Sequence, residues 1–297
     1  MLRYSATALL ASLGFAAGVS GRAVPVPAPS PRFSDVNLAS GVRLRYAEQG
    51  DPRGPAVILL HGFSDSWFSW SRVLPLIPSR YHVIAPDSRG HGDSDKPEGG
   101  YAMRALAGDV LALMDALHLE RATIVGHSMG SVVAQQIAVA APGRVERLVL
   151  VGSGPSFRSM SGVDEFAAAV YALRDPVPEQ FAREFQVSTI HQPIPGEFLD
   201  TAVATSLRLP ARVWHGTMTG MLDTPVAHEL AGFSVPTLIL WGDRDAVFGP
   251  AAQQALIAQL PKARASIYAE TGHAPHWERP ERFAGELVGF LGGVPKR

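Results

Sequence analysis

The stretch RATIVGHSMGSVVAQQIAVAAPGRV, residues 121–145, decides the fold. Its apolar run over 122–126 is typical of a buried strand, and the small and apolar residues after the second glycine predict a helix. Ser128 stands between them, two residues from Gly126 and two from Gly130. A sharp strand-to-helix turn holds a serine hydroxyl out of the fold, and it brings backbone groups so close that the flanking positions must be small. The pattern therefore predicts a nucleophile elbow with Ser128 at its tip.

Further apolar runs along the chain predict the rest of a sheet. Each run is compact and ends in or near Gly, Asp or Glu, as parallel strands buried on both faces do. Between them lie longer stretches with apolar residues three and four positions apart, which predict helices. Strands that alternate with helices indicate a parallel α/β sheet with right-handed crossovers. The predicted strands are 56–62, 81–87, 122–126, 146–153, 235–243 and 265–270, and the predicted helices are 103–119, 131–141, 250–260 and 279–291.

One interval breaks this alternation. Residues 155–230 contain helical patterns and prolines but no convincing strand. We predict that they form a helical cap, inserted between two strands and lying over one edge of the sheet. The α/β core is then divided into a first part, 36–154, and a second part, 231–297.

The N-terminus differs in composition from the rest of the chain. An apolar run over 6–19 follows Arg3. It is shorter than the roughly 20 residues that a membrane-spanning helix needs, and it suits the core of a secretory signal. We therefore predict a signal peptide over 1–21, a proline-rich linker over 22–35 and a secreted or periplasmic location, with an unstructured extension as the alternative. No stable membrane insertion is expected after signal removal.

The composition is that of an ordinary globular protein. Hydrophobic residues make up 46% and charged residues 18% of the 297 residues, unlike the composition of disordered chains. The formal net charge is −1, and no block of like charge suggests a nucleic-acid partner. The absence of cysteine excludes disulfides, thiolate metal sites and a cysteine nucleophile.

Cofactor motifs are also missing from the sequence. No Gly-x-x-x-x-Gly-Lys loop is present to cradle a phosphate, and no His-Glu-x-x-His pair is present to bind zinc. We therefore expect chemistry on a small-molecule substrate without a cofactor or a metal. The sequence leaves the oligomeric state open.

Two later loops supply candidate partners for the serine. A serine hydroxyl is a poor nucleophile that needs a base, and the base needs an orienting group. LILWGDRDAVFGP, 238–250, carries two aspartates, and YAETGHAPHWERP, 268–280, carries two histidines. Because the carboxyl ends of parallel strands meet at one edge of a sheet, we expect both loops to lie near Ser128.

Five motifs in this order carry a family resemblance: HGF (61–63), DSRGHGDSD (87–95), the elbow, WGDRD (241–245) and GHAPHWERP (272–280). With them, residues 36–295 resemble the α/β-hydrolase superfamily, specifically its capped single-domain branch. The resemblance implies a mostly parallel, roughly eight-stranded sheet flanked by helices.

Carried over residue by residue, the resemblance also implies a catalytic triad. Ser128 would be the nucleophile and His273 the general base, with His276 as the alternative base. The acid falls on Asp245 when counted from the glycine of its loop, with Asp243 as the alternative.

The resemblance further implies an oxyanion hole made by the backbone N–H groups of Phe63 and Met129. His127 is expected to pack against the sheet rather than act as a base. Two groups of side chains are candidates to line the substrate pocket. One comprises His61, Trp67, Phe157, Trp214, Met218 and Phe248, and the other consists of the further cap residues Phe166, Tyr171, Phe181, Phe185 and Met221.

The nucleophile decides between reaction classes. HGFSDSWFSW, 61–70, and the loop over 87–97 are similar to those of epoxide hydrolases and haloalkane dehalogenases, which use a carboxylate at the elbow. Serine at that position points to acyl transfer, so carboxylic ester hydrolysis through an acyl-enzyme is the first hypothesis. Lactonases, carbon–carbon bond hydrolases and cofactor-free perhydrolases of the haloperoxidase type share the same motifs. A ligand-binding protein that has lost turnover is the alternative outside enzymes.

Overall fold

The computed structural model describes residues 30–224, 233–260 and 262–293. In these residues eight strands form one sheet, in the order β1-β2-β4-β3-β5-β6-β7-β8. Strands β3 to β8 are parallel to one another, whereas β1 and β2 run antiparallel at one edge. The predicted mostly parallel, roughly eight-stranded sheet is confirmed. The strands are β1 (Arg32–Asn37), β2 (Arg43–Gln49), β3 (Ala56–Leu60), β4 (His82–Pro86), β5 (Ala122–His127), β6 (Val145–Val151), β7 (Thr237–Gly242) and β8 (Arg264–Tyr268).

Two apolar layers enclose the sheet. In β3, Ile58 and Leu60 pack into the layer that holds helix residues such as Leu106 and Val132. Val57 and Leu59 point the other way, into the layer that holds the C-terminal helix. Because successive strand residues face opposite layers and both layers are apolar, the central strands are continuous apolar runs. The helices are α1 (Met103–Ala116), α2 (Met129–Ala140), α3 (Val163–Ala172), α4 (Glu179–Ser188), α5 (Gly196–Leu207), α6 (Ala211–Leu222), α7 (Pro250–Gln259), α8 (Pro275–Glu278) and α9 (Pro280–Gly292).

The N-terminal boundary of the core corrects one prediction. Strand β1 begins at Arg32 and pairs along its whole length with β2, so the predicted linker over 22–35 is wrong from residue 32 onward. The physical reason is that the alternating, charged sequence of this edge strand exposes one face and lacks an apolar run. The predicted signal peptide, 1–21, and the linker up to residue 29 lie outside the described residues.

Helices α3 to α6 occupy the interval between β6 and β7. We call residues 155–224 the helical insertion; it contains no strand, and the last residues of the predicted cap, 225–230, lie outside the described ranges. Three prolines, Pro178, Pro195 and Pro210, directly precede α4, α5 and α6, where an extended residue ahead of a helix is tolerated. None of the described helices has the length and apolar character to cross a membrane.

Candidate active site

The turn between β5 and α2 is a strained elbow. Ser128 has φ 52° and ψ −117°, a conformation that non-glycine residues adopt only when the surroundings enforce it. A β-carbon on Gly126 would stand 2.2 Å from the carbonyl oxygen of Gly130, and one on Gly130 would stand 2.4 Å from that of Leu60. Only glycine fits at either position. The Ser128 N–H donates to the Val151 carbonyl at 3.0 Å, which ties the elbow to β6.

Asp245 and His273 meet at the carboxyl ends of β7 and β8. His273 Nδ1 lies 2.9 Å from Asp245 Oδ2. The other carboxylate oxygen, Oδ1, accepts from the backbone N–H groups of Val247 (2.8 Å) and Phe248 (2.9 Å), so the acid is held from two sides. Asp243 is more exposed, and its Oδ1 lies 3.4 Å from the Thr271 nitrogen. The carboxylate against His273 is therefore that of Asp245.

The second ring nitrogen of His273, Nε2, is the one that Asp245 does not hold. Nε2 is buried and has no hydrogen-bond partner among the described residues, and His273 borders the same cavity as Ser128. The His273 N–H donates to the carbonyl of Thr189 at 2.9 Å. The histidine loop is thus anchored to the end of α4.

The two neighbouring histidines have other roles. His276 is fully buried against Trp70, with Nε2 3.1 Å from Ser69 Oγ. His127 donates from Nε2 to the His273 carbonyl at 3.2 Å and borders the cavity. Burial lowers the pKa of both rings well below the ordinary 6.5, so both are neutral around pH 7. They support the site rather than titrate in it.

The two backbone groups expected to form the oxyanion hole are unpaired donors. The N–H groups of Phe63, in the loop after β3, and Met129, at the start of α2, have no acceptor among the described residues. Unpaired backbone donors of this kind are what a developing oxyanion requires.

The cavity above Ser128 has a volume of about 250 Å³. The helical insertion supplies most of its apolar wall, and Val247 and Trp277 add to it. No Lys or Arg borders the cavity in the part of the chain that the structure describes. The apolar side chains from the insertion are Phe157, Met160, Phe166, Phe185, Met218 and Met221.

Six of the predicted pocket residues do not border this cavity. Trp214 is fully buried behind Phe63, at 4.9 Å between ring centroids, and Phe248 packs between Phe157 and His273. Both lie near the site, but they stand behind the side chains that form the cavity wall and so do not border the cavity. Tyr171 and Phe181, from the insertion, are also absent from the lining.

His61 and Trp67 were also predicted to line the pocket, and neither borders the cavity. His61 is the first residue after β3. Its Nε2 accepts from the Ser88 N–H at 2.9 Å, and burial lowers its pKa to about 4. Trp67 packs edge-on against Phe33 of β1, at 4.8 Å. Since β1 was not predicted, the partner that draws this ring away from the pocket was not visible in the sequence.

The chain resembles known proteins in sequence and in fold. A family model described as the alpha/beta hydrolase fold matches residues 55–280. The chain belongs to the α/β-hydrolase family. It is 31% identical over 291 residues to the uncharacterized protein Rv2715 of Mycobacterium tuberculosis, over 90% of this chain and 83% of that one.

This α/β hydrolase has relatives of two reaction classes. Mouse epoxide hydrolase 4 is 28% identical over 290 residues, covering 85% of this chain and 77% of its own length. The solved esterase RhEst1 from Rhodococcus sp. ECU1013 superposes with a TM-score of 0.79 at 28% identity, over 90% of this chain and 100% of that one. These likenesses support a hydrolase, and the choice of bond rests on the site.

Sequence reasoning missed a network behind the elbow of this α/β hydrolase. Ser131 donates to the Ser128 carbonyl at 2.6 Å, and its Oγ lies 2.8 Å from Ser153 Oγ. Gln135 and Gln253 donate to the hydroxyl and the carbonyl of Ser153, respectively. Buried polar side chains one turn after the elbow were the available signal, because such groups require partners.

Asp65 was also missed. It borders the cavity and is 5% exposed, with Oδ1 accepting from Gln186 at 3.0 Å. Burial raises the pKa of this carboxyl to about 7, although hydrogen bonds from Gln186 and Ser69 oppose that rise. Its position two residues after the HGF motif was the only signal.

The described residues contain no group of three or more His, Cys, Asp or Glu arranged to hold a metal ion.

Proposed function

We propose that this α/β hydrolase cleaves carboxylic esters through an acyl-enzyme on Ser128. One observation carries the proposal: a serine on a strained elbow shares its cavity with a histidine whose Nδ1 is held by Asp245 at 2.9 Å and whose Nε2 is unpartnered among the described residues. Because Nδ1 donates its proton to the carboxylate, Nε2 is left to accept one. A general base needs that arrangement.

The reaction follows from these positions. Ser128 Oγ attacks the ester carbonyl carbon while its proton passes to His273 Nε2. The carbonyl oxygen becomes an oxyanion that accepts from the N–H groups of Phe63 and Met129. The bond to the alcohol then breaks, and the imidazolium, stabilised by Asp245, gives its proton to the leaving oxygen. Water attacks the acyl-enzyme, with His273 again as base, and releases the acid.

The cavity favours a neutral substrate with an apolar acyl group of limited size. Its volume of about 250 Å³ lies below the usual range for drug-sized ligands, which starts near 300 Å³. A free carboxylate would find no Lys or Arg among the described lining residues, and it would approach Asp65. An unpaired charge in such an environment is costly. Small to medium neutral esters, and lactones as cyclic esters, suit this site best.

Epoxide opening is disfavoured at this elbow. Epoxide hydrolases resemble this chain in the loops after β3 and β4, but the carboxylate that forms their alkyl-enzyme ester is replaced by Ser128 here. A serine suits attack on a carbonyl instead.

A fluorophosphonate probe tests the nucleophile. We expect Ser128→Ala to abolish covalent labelling and to lower ester turnover by about 10⁴-fold or more. Ser161→Ala is the matched control, because Ser161 also borders the cavity but is exposed and lies outside the elbow; its labelling should persist.

A substrate panel tests the bond that is cleaved. It comprises p-nitrophenyl esters from acetate to laurate, a neutral lactone and styrene oxide. We expect the shorter neutral esters to be hydrolysed fastest. Labelling that survives in Ser128→Ala, or epoxide turnover without ester turnover, would contradict the proposal.

A further inference from the structure

The loop after β3 holds an unusual conformation beside a proposed oxyanion donor. We call residues 62–65 the oxyanion loop. Ser64, directly after Phe63, has φ 60° and is fully buried. A non-glycine residue stays in this left-handed region only where its surroundings hold it there. The contacts of Ser64 therefore hold the backbone that directly follows Phe63.

Those contacts come from the helical insertion. Ser206, on α5, lies with its Oγ 3.1 Å from Ser64 Oγ and 3.2 Å from the Ser64 carbonyl oxygen. Gln186, on α4, donates from Nε2 to Asp65 Oδ1 at 3.0 Å and to Ser206 Oγ at 2.9 Å. All four side chains are at most 5% exposed. They form one buried polar cluster that spans the loop and two helices.

Both amide hydrogens of Gln186 are used in this cluster. Gln186 Nε2 has two hydrogens, and its two shortest contacts, to Asp65 and Ser206, use both; Ser64 Oγ is farther, at 3.4 Å. Ser206 Oγ then accepts from the glutamine and from Ser64, and its one hydrogen has two carbonyl acceptors within reach, those of Ala202 at 3.1 Å and Ser64 at 3.2 Å. A buried network of hydrogen bonds restricts the geometry of its members. It fixes the loop relative to α4 and α5.

Apolar contacts fix the neighbouring residue. The Phe63 ring meets three rings of the insertion edge-on: Phe166 of α3 at 6.4 Å, Phe185 of α4 at 5.7 Å and Trp214 of α6 at 4.9 Å. Edge-to-face pairs at these distances are favourable. Every helix of the insertion therefore contacts the oxyanion loop.

We propose that the helical insertion positions the oxyanion hole, with Ser206 and Gln186 as positioning residues that hold Ser64 and thereby aim the Phe63 N–H. The inference rests on the proposed ester hydrolysis. It gives the insertion a role in rate as well as in covering the substrate. Ser206 is the more informative of the two, because Gln186 borders the cavity and Ser206 does not.

The test compares two hydroxyl deletions on α5. Ser206→Ala removes the contacts to Ser64, whereas the adjacent, buried Thr205 donates only to the Thr201 carbonyl of its own helix, at 2.9 Å. We expect Ser206→Ala to lower kcat for p-nitrophenyl butyrate by about 10-fold, with KM within about twofold, since an oxyanion contact acts in the transition state. Thr205→Val should keep both constants.

A pair of inhibitors separates positioning from general damage. A phenyl trifluoromethyl ketone, which adds to the serine and forms an oxyanion, should bind Ser206→Ala about 10-fold more weakly. The matching methyl ketone, a ground-state analogue, should bind it as the wild type does. If Ser206→Ala fails to fold, Ser64→Gly takes its place in the test, because glycine allows the left-handed backbone but lacks the hydroxyl. We expect Ser64→Gly to bind the trifluoromethyl ketone about 10-fold more weakly as well.

The outcomes are distinct. Wild-type kcat and trifluoromethyl ketone affinity in Ser206→Ala would overturn the positioning role, as would equal weakening of both ketones. A wild-type protein without ester turnover or Ser128 labelling would refute the proposed function itself.

Discussion

Asp65→Asn examines the electrostatics of the cavity. Asp65 is 5% exposed, and no Lys or Arg borders the cavity in the described residues. Burial raises the pKa of its carboxyl from 3.8 to about 7, and hydrogen bonds from Gln186 and Ser69 only partly oppose this. The folded protein therefore holds a proton on Asp65 that the unfolded chain releases at a lower pH.

The sign and size of the effect follow from linkage. Between pH 4 and pH 7 the folded state binds more protons at Asp65 than the unfolded state does, so the free energy of unfolding falls as pH rises. At 1.36 kcal/mol per pKa unit, the difference between 3.8 and about 7 corresponds to a loss of up to roughly 4 kcal/mol by pH 8. Asparagine keeps an oxygen that accepts from Gln186 and does not ionise, so the variant avoids this loss.

Urea unfolding of the wild type and of Asp65→Asn at pH 4 and pH 8 measures this loss of unfolding free energy. We expect a small difference at pH 4, and a variant more stable than the wild type by about 2–4 kcal/mol at pH 8. Asp243→Asn removes the same charge at a site that is 34% exposed and should change the free energy by less than about 1 kcal/mol. A variant that is no more stable than the wild type at pH 8 would mean that the fold accommodates an ionised Asp65.

Two further predictions concern the machinery around Ser128. Asp245→Asn should lower kcat by about 10³- to 10⁴-fold, because the amide no longer holds the imidazole in the required tautomer. Asp243→Asn should retain most activity. Steady-state kinetics with one ester measure both variants, and the reverse order would mean that the acid is misassigned. Gly126→Ala should lower the free energy of unfolding in urea by roughly 3 kcal/mol or more, since its β-carbon would stand 2.2 Å from a backbone oxygen. Gly143→Ala, with open space at that position, should stay within about 0.5 kcal/mol of the wild type, and equal effects would refute the steric account.

The sequence predicts the centre of this fold better than its edge. The parallel strands are buried on both faces, so β3 and β5 are written as unbroken apolar runs that need no context to interpret. Strands β1 and β2 alternate charged and apolar residues; β1 is placed by its pairing with β2, and β2 by its further pairing with β4. Local composition carries little of that information, which is why the sequence predicts a linker where β1 lies.

The site divides in the same way. Ser128 was predictable because its backbone strain demands glycines at fixed spacing, and such demands are local in sequence. The cavity wall was not, since an apolar pattern shows that Trp214 is buried but not that Phe63 stands in front of it. The cluster that joins Ser64 to Ser206 links residues 142 positions apart. The residues next to Ser64 and Ser206 in the sequence do not indicate that the two hydroxyls meet.

On helix α4, a residue that lines the cavity is directly followed by one that holds the oxyanion loop. Phe185 contributes to the apolar wall of the cavity, and Gln186, the next residue, both borders the cavity and holds the oxyanion loop. A substitution that enlarges the wall at Phe185 also removes a ring that packs against Phe63. Acyl-chain preference and turnover are therefore expected to change together along α4. Along α6, Met218 borders the cavity without an aromatic contact to Phe63, so changes there should alter KM with less effect on kcat.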